Sequence, residues 1–339
     1  MLKNIGIIGE GKMGTNLFYY LLDMNFNLTW ICSPEADLEK LRKNFSKRQG
    51  RSLEAGIIDE KRYHSILECV KISNYATDLA SCEMIIEAIS EELEAKQQLF
   101  RMLDKIAPPG CIFTSNSSSI NPSALIPSEN RKDKFVGLHF FYPIALKDIV
   151  EVIMTHETSK ETLKQITFFL KSIRRRFLLL EEKNSFILNR IFLHFQNEAF
   201  ILVDEKKASL QQIDRIVRDH FFPTGVFEFF DSVGLDVMLA SVKNYSKDDP
   251  EEERYHPLIG KLQELVSKGK LGTKTKGGFY GEGISPDPGY PENDAEIIAK
   301  LQSSYEYAFR RFCLSSGIPA AELKTDMDEY FGVETPVVV

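Results

Sequence analysis

His139 lies inside an apolar run, Phe135-Val136-Gly137-Leu138-His139-Phe140-Phe141, and Glu151 follows twelve residues later inside another, Ile149-Val150-Glu151-Val152-Ile153-Met154. Both runs are rich in β-branched and aromatic residues and predict buried strands. Burying an imidazole and a carboxylate in such company is costly unless the two groups pair. A carboxylate on one ring nitrogen leaves the other nitrogen to move protons near neutral pH. If the two strands converge, the chain carries an acid/base dyad. A second group of residues, Gly9-Glu10-Gly11-Lys12-Met13-Gly14, fits G-x-G-x-x-G. It follows the short apolar run from Asn4 and precedes a helical pattern of Leu17, Leu21, Leu22 and Met24. In that context the glycines allow a tight turn and close backbone approach, so a dinucleotide pyrophosphate can lie on the helix amino terminus. A third group, Ser115-Asn116-Ser117-Ser118-Ser119, follows another apolar run.

The elements that must position these groups alternate along the chain. Leu28 to Cys32, Met84 to Ile89 and Cys111 to Thr114 predict strands, and Glu35 to Ser46 and Glu92 to Ile106 predict helices. Such alternation implies a parallel, doubly wound sheet that takes its ligand at the carboxyl ends of the strands, where the serine-rich loop falls. An NAD site commonly has Asp or Glu at the end of its second strand, to hold the ribose hydroxyls. Here Cys32 stands there, followed by Ser33 and by no arginine directly after the strand. NAD is therefore the expected cofactor, with NADP left open. From Phe186 onward the periodicity is helical, with Ile187, Ile191, Phe195, Glu198 and Leu202 on one face. Phe221-Phe222-Pro223-Thr224-Gly225 reads as a loop between two helices, its phenylalanines destined for a core or a dimer interface. Gly281 to Asn293 reads as a Gly/Pro-rich linker, Ala295 to Cys313 as a helix and Pro319 to Leu323 as the start of another. This tail reads as a partial second copy of the helical unit, the alternative being a solvent-exposed tail.

Bulk composition narrows the class. The 339 residues carry a net charge of −7, with 43% hydrophobic and 27% charged residues and a pI near 5.6. Neither a nucleic-acid nor a membrane-surface role suits that balance. The small basic clusters, Arg174 to Arg176 and Lys40 to Lys43, read as solvated helix faces. No apolar run reaches the ~18 residues that span a bilayer, and the amino terminus lacks a signal-peptide pattern. Five scattered cysteines without metal-ligand spacing suit reduced thiols in a cytoplasmic protein, with no metal site expected.

The segment from Ser115 through His139-Phe140-Phe141-Tyr142-Pro143 to Val150-Glu151-Val152-Ile153 resembles the signature of the L-3-hydroxyacyl-CoA dehydrogenases. So do Phe186-Ile187-Leu188-Asn189-Arg190, Asn197-Glu198-Ala199, Phe227 to Asp236, and Gly277-Gly278-Phe279-Tyr280, in order, over roughly residues 4 to 280. The resemblance implies an α/β Rossmann-type dinucleotide-binding domain over residues 1–183, followed by an all-α domain over 184–285 for substrate binding and dimerisation, with a helical extension over 286–339. It implies His139 as catalytic histidine and Glu151 as the carboxylate that orients it. Ser118 matches a serine contacting substrate and nicotinamide, and Asn189 an asparagine contacting the substrate near its carbonyl. Gly9, Gly11, Lys12, Met13, Gly14, Cys32, Glu91, Lys96, Asn116, Tyr142 and Lys274 match the cofactor's surroundings. The implied reaction is NAD-dependent oxidation of an L-3-hydroxyacyl thioester, or the reverse reduction, by a homodimer acting on a CoA or carrier-protein thioester.

Three positions depart from the family's pattern: Tyr142 where Asn is common, Ser185 where Gly is common, and Cys32 for the second-strand acid. All three surround the cofactor or substrate, which suggests altered specificity more than lost activity. The stretch between the second and third strands reads as short and assigns no Lys or Arg to a CoA nucleotide. Two other readings therefore stay open: a dehydrogenase of a carrier-protein-bound or free hydroxy acid, and a nucleotide-binding protein without turnover.

Overall fold

The β-branched run at the amino terminus forms β1 (Asn4–Ile8), and the strand and helix periods then alternate through α1 (Lys12–Leu21), β2 (Asn27–Ile31), α2 (Leu38–Glu54), α3 (Glu60–Cys69), β3 (Val70–Ser73), β4 (Met84–Glu87), α4 (Leu93–Asp104) and β5 (Ile112–Ser115). After them come β6 (Phe135–Phe140), β7 (Ile149–Met154), α5 (Lys160–Ser172) and β8 (Arg176–Glu181). The structure is a computed structural model that describes residues 2–247, 249–275, 277–281 and 293–337. It divides into two compact units, Met1–Ser185 and Phe186–Val339.

The first unit is built on one eight-stranded sheet of order β3-β2-β1-β4-β5-β6-β7-β8. Pairings from β3 across to β6 are parallel, β7 runs antiparallel to β6, and β8 is parallel to β7. Side chains of period two separate onto the two faces. Ile5 and Ile7 pack with Phe18 and Trp30 on one side, while Ile8 packs with Phe100 and Phe113 on the other. Each such side chain, fully buried, stabilises the sheet by about 1.5–3 kcal/mol. Strand order reverses between β1 and β4, and at such a switch point a crevice opens beyond the strands' carboxyl ends.

The interval between β2 and β4 corrects the expectation of a short stretch. It holds α2, which runs eight residues past Ser46, then α3 and β3. Both helices are capped by aspartates: Asp37 accepts from the Lys40 N–H and Asp59 from the Arg62 N–H. Only Phe45 and Gln49 of α2 and Ile66 of α3 are buried, so neither helix carries the broad apolar stripe that betrays a helix in sequence.

The second unit is helical: α6 (Ile187–Asp204), α7 (Leu210–His220), α8 (Val226–Val233), α9 (Leu235–Ser246), α10 (His256–Ser267), α11 (Asp294–Ser316) and α12 (Ala320–Phe331). Helix α6 is buried on nearly all sides, from Ile187 to Leu202, and α11 lies along it. Phe221 and Phe222 of the loop between α7 and α8 are core residues. The exposed-tail alternative fails here. Leu301, Tyr305, Phe309, Phe312, Leu323 and Met327 of the extension are buried, and the Phe331 ring lies 4.2 Å from that of Phe222 and 4.7 Å from that of Phe192. Most of the expected Gly/Pro-rich linker lies outside the described residues. Among the described residues no helix is long and apolar enough to cross a membrane.

Candidate active site

The antiparallel register of β6 and β7 places His139 directly opposite Glu151. Facing side chains of a strand pair meet at once, which is why two residues twelve apart in sequence form one contact. His139 Nδ1 lies 2.7 Å from Glu151 Oε2, with the histidine 5% exposed and the glutamate fully buried. An ionised carboxylate only accepts, so Nδ1 carries the proton and donates it, which leaves Nε2 as the unprotonated nitrogen of the ring. The Phe141 ring, 4.4 Å away, fixes one face of the imidazole.

β6 ends beside His139, and the carboxyl ends of β1, β4 and β5 line up at the same edge of the sheet. At the end of β1 the turn demands glycine. Gly9 has φ of +111°, and a Cβ there would sit 2.5 Å from the Ala88 carbonyl oxygen. A Cβ on Gly14 would fall 2.0 Å from the Gly9 oxygen, so the helix closes tightly on the turn. A Cβ on Gly11, the amino-terminal cap of α1, would meet nothing within 4 Å, and no side chain caps the helix. An open, uncapped helix start of this kind fits a pyrophosphate, which needs backbone N–H groups and room. Lys12 reaches over the half-exposed Tyr142 ring at 5.3 Å, and Met13 packs against the core beneath.

The serine loop after β5 is organised by Glu91, a role its sequence position did not disclose. Its Oε1 accepts from the Ser117 hydroxyl (2.6 Å), the Ser118 and Ser119 N–H groups (both 2.9 Å) and the Ser119 hydroxyl (2.9 Å). Burial works to raise the Glu91 carboxyl, but the Lys96 ammonium and these hydrogen bonds outweigh it and hold the group below the usual carboxylate range. Lys96, 1% exposed, sits beneath the loop: its Nζ donates to Glu87 Oε1 at 2.5 Å and lies 3.5 Å from Glu91 Oε2. The Ser115 hydroxyl takes the other oxygen of Glu87, and Asn116 accepts from the Phe140 N–H, joining the ends of β5 and β6. Cys32 turns into the core at 3% exposure, its thiol pushed up to about 12 by burial and then by the Glu10 carboxylate. Ser185, where the pattern has glycine, donates its hydroxyl to Asn121 Oδ1 at 2.7 Å.

In the second unit Asn189 stands in the first turn of α6 between two tyrosines. Its Nδ2 donates to the Tyr245 hydroxyl at 3.0 Å, and its Oδ1 accepts from the Tyr330 hydroxyl at 2.9 Å. Neither tyrosine was singled out by the sequence, and Tyr330 belongs to the extension. Phe186, just before α6, adopts a left-handed backbone with φ of 56°, a conformation that costs a side-chain-bearing residue roughly 1–2 kcal/mol. Lys274 is half-exposed and paired with Asp236 at 2.7 Å. No group of three or more His, Cys, Asp or Glu able to hold a metal ion occurs among the described residues.

Comparison with known proteins gives two family matches. Residues 4–183 match the family described as 3-hydroxyacyl-CoA dehydrogenase, NAD binding domain, and residues 186–282 match 3-hydroxyacyl-CoA dehydrogenase, C-terminal domain. The human mitochondrial hydroxyacyl-coenzyme A dehydrogenase is 32% identical over 289 residues, 83% of this chain and 91% of that protein. A solved (S)-3-hydroxybutyryl-CoA dehydrogenase from Ralstonia eutropha is 28% identical, with a TM-score of 0.71 over 84% of this chain and all of that one. The dehydrogenase part of a multifunctional enzyme from Caenorhabditis elegans covers 97% of this chain and 78% of its own, at 21% identity and a TM-score of 0.57, a likeness of fold that takes in the extension.

Proposed function

The chain belongs to the 3-hydroxyacyl-CoA dehydrogenase family, oxidoreductases acting on CH–OH groups with an NAD-binding domain, and from that premise we propose that it interconverts an L-3-hydroxyacyl-CoA and the 3-oxoacyl-CoA, with His139 as general acid/base oriented by Glu151. The observation that carries the proposal is the 2.7 Å contact between His139 Nδ1 and Glu151 Oε2 at the same sheet edge as the glycine turn. A nicotinamide bound beside the glycine turn would supply the acceptor for the hydride of the carbinol carbon. His139 Nε2 takes the hydroxyl proton in that direction and returns it in the other. Glu151 holds the Nδ1 proton in place and offsets the charge of the imidazolium that forms. Ser118, whose N–H is fixed by Glu91, orients the substrate oxygen against the ring, and Asn189 is assigned the contact near the thioester carbonyl.

A CoA thioester is favoured over a free acid by the face of α2. Lys47, Arg48 and Arg51 line an open groove of about 640 Å³ there, suited to a phosphate-bearing carrier. The test is NADH consumption with acetoacetyl-CoA, acetoacetyl-pantetheine and free acetoacetate. The CoA thioester should turn over best and the free acid least. Failure of every acetoacetyl substrate, or full activity in His139→Gln, would defeat the proposal.

A further inference from the structure

β2 ends without an acid, yet a carboxylate stands at its end. Glu10, between Gly9 and Gly11 of the turn, reaches across to the residue after Cys32. Its Oε2 accepts from the Ser33 N–H at 2.9 Å and its Oε1 from the Ser33 hydroxyl at 2.7 Å. The turn and the strand end are tied together a second time, by the Gly9 N–H donating to the Ile31 carbonyl at 2.9 Å. We propose that Glu10 is the ribose-reading acid of this enzyme, supplied by the glycine turn and not by the second strand, and that it selects NAD(H) over NADP(H).

The chemistry of the carboxylate supports this assignment. Each of its oxygens has two acceptor positions, and Ser33 takes one on each. The remaining two suit a vicinal diol, which presents two O–H donors side by side. A 2′-phosphate in the same place would bring its negative charge against the carboxylate, and discrimination by such repulsion is strong. The Cys32 side chain is turned into the core, so the thiol does not compete for this place. A cation that acts on Cys32 at the strand end is Arg42 on α2. Its Nε and Nη2 both donate to the Ile72 carbonyl, at 3.3 and 2.7 Å, which commits that edge of the guanidinium to β3.

The inference rests on the dinucleotide lying along Gly9–Gly14. Trp30, the chain's single tryptophan, donates its Nε1 to the Gly9 carbonyl at 2.8 Å and so reports on this turn directly. Quenching of Trp30 emission by NADH and by NADPH gives both dissociation constants without turnover. Wild type should prefer NADH by about 100-fold. Glu10→Gln keeps an oxygen for Ser33 but loses the charge. In it NADH should weaken about tenfold while NADPH holds or tightens, so the preference falls at least tenfold. Glu10→Ala, checked for an unchanged melting temperature, should abolish the preference. Equal weakening of both cofactors would reduce Glu10 to a tie between turn and strand and overturn the proposal. So would a wild type that binds NADPH as tightly as NADH and loses it in Arg42→Ala. A wild type that binds neither would remove the nucleotide site itself, a failure distinct from a preference that survives Glu10→Gln.

Discussion

Two histidines of this chain are buried almost equally, and they keep different company. His139 on β6 faces the Glu151 carboxylate at 2.7 Å. His194 on α6 is fully buried, its Nδ1 3.2 Å from the Tyr255 hydroxyl and its Nε2 without a hydrogen-bond partner. The Arg254 and Arg311 guanidiniums act on it from the surrounding helices. Burial penalises an imidazolium at His194. At His139 the neighbouring group is the Glu151 carboxylate, in direct hydrogen-bond contact. At His194 burial and the two guanidiniums outweigh the Asp249 carboxylate, and the Glu251 carboxylate stands 4.0 Å from Nδ1, beyond hydrogen-bond distance. On the proposed mechanism, a buried histidine carries protons where a carboxylate holds its other ring nitrogen.

The first way to break the comparison is to remove the imidazole itself. His139→Gln should lower kcat by 10²- to 10⁴-fold, the usual range for a general acid/base, while NADH binding followed through Trp30 stays within about twofold. A loss of kcat under tenfold would place the proton transfer elsewhere. Removing the counter-charge alone is a smaller change. In Glu151→Gln the side-chain amide can donate to Nδ1, which drives the ring proton onto Nε2, the nitrogen that must accept. We expect kcat to fall on the order of 10²-fold with KM little changed. An unchanged kcat would mean that burial and Phe141 are enough to orient the ring.

How much of this was legible in the sequence follows from how local each determinant is. The dyad was legible because strands pair residue by residue, so a polar residue in each of two consecutive apolar runs already suggests a contact. The glycine turn was legible because tight backbone approach excludes side chains at fixed spacing. Glu10 was not, since the acid was sought on β2, and only the folded turn shows that a loop residue reaches the strand's end. Lys96 read as a cofactor contact, and its pairing with Glu87 and Glu91 appears only in the fold. Helices α2 and α3 escaped full notice because their sequences are polar almost all round. The extension read as a repeat or a free tail. What fixes it is tertiary: the Phe331 ring packs against that of Phe222, and Arg311 pairs with Asp249 at 2.6 Å.

The extension supplies a milder test. Tyr330→Phe deletes the hydroxyl that donates to Asn189 Oδ1 and leaves the ring on Phe331 at 4.7 Å. One neutral hydrogen bond is worth about 0.5–1.5 kcal/mol, so KM for the acyl thioester should rise roughly two- to tenfold with kcat nearly unchanged, and the melting temperature should fall by only a few degrees. If KM does not move, Tyr245 alone is sufficient to hold the amide.

The smallest effect on turnover, and the sharpest contrast with His139, is expected at His194. Burial first, then Arg254 and Arg311, push its pKa down to about 3, against an ordinary value near 6.5. Because the folded value lies below the unfolded one, the unfolded chain binds the proton first as pH falls. The stabilising contribution of a neutral His194 is thus complete above about pH 6.5 and is lost progressively as pH drops toward 3, at up to about 1.4 kcal/mol per pH unit. His194→Asn keeps a polar atom near the Tyr255 hydroxyl but cannot titrate. It should leave kcat at pH 7.5 within about twofold of wild type, while unfolding free energies measured by urea between pH 6 and pH 4 fall less steeply than in wild type by about that slope. Parallel curves would show that His194 holds its proton equally well folded and unfolded, and a large drop in kcat would show that a buried histidine ringed by arginines can serve the reaction after all. Either result would dissolve the distinction between the two histidines, which rests on a carboxylate bonded to one ring and guanidiniums that outweigh the carboxylates near the other.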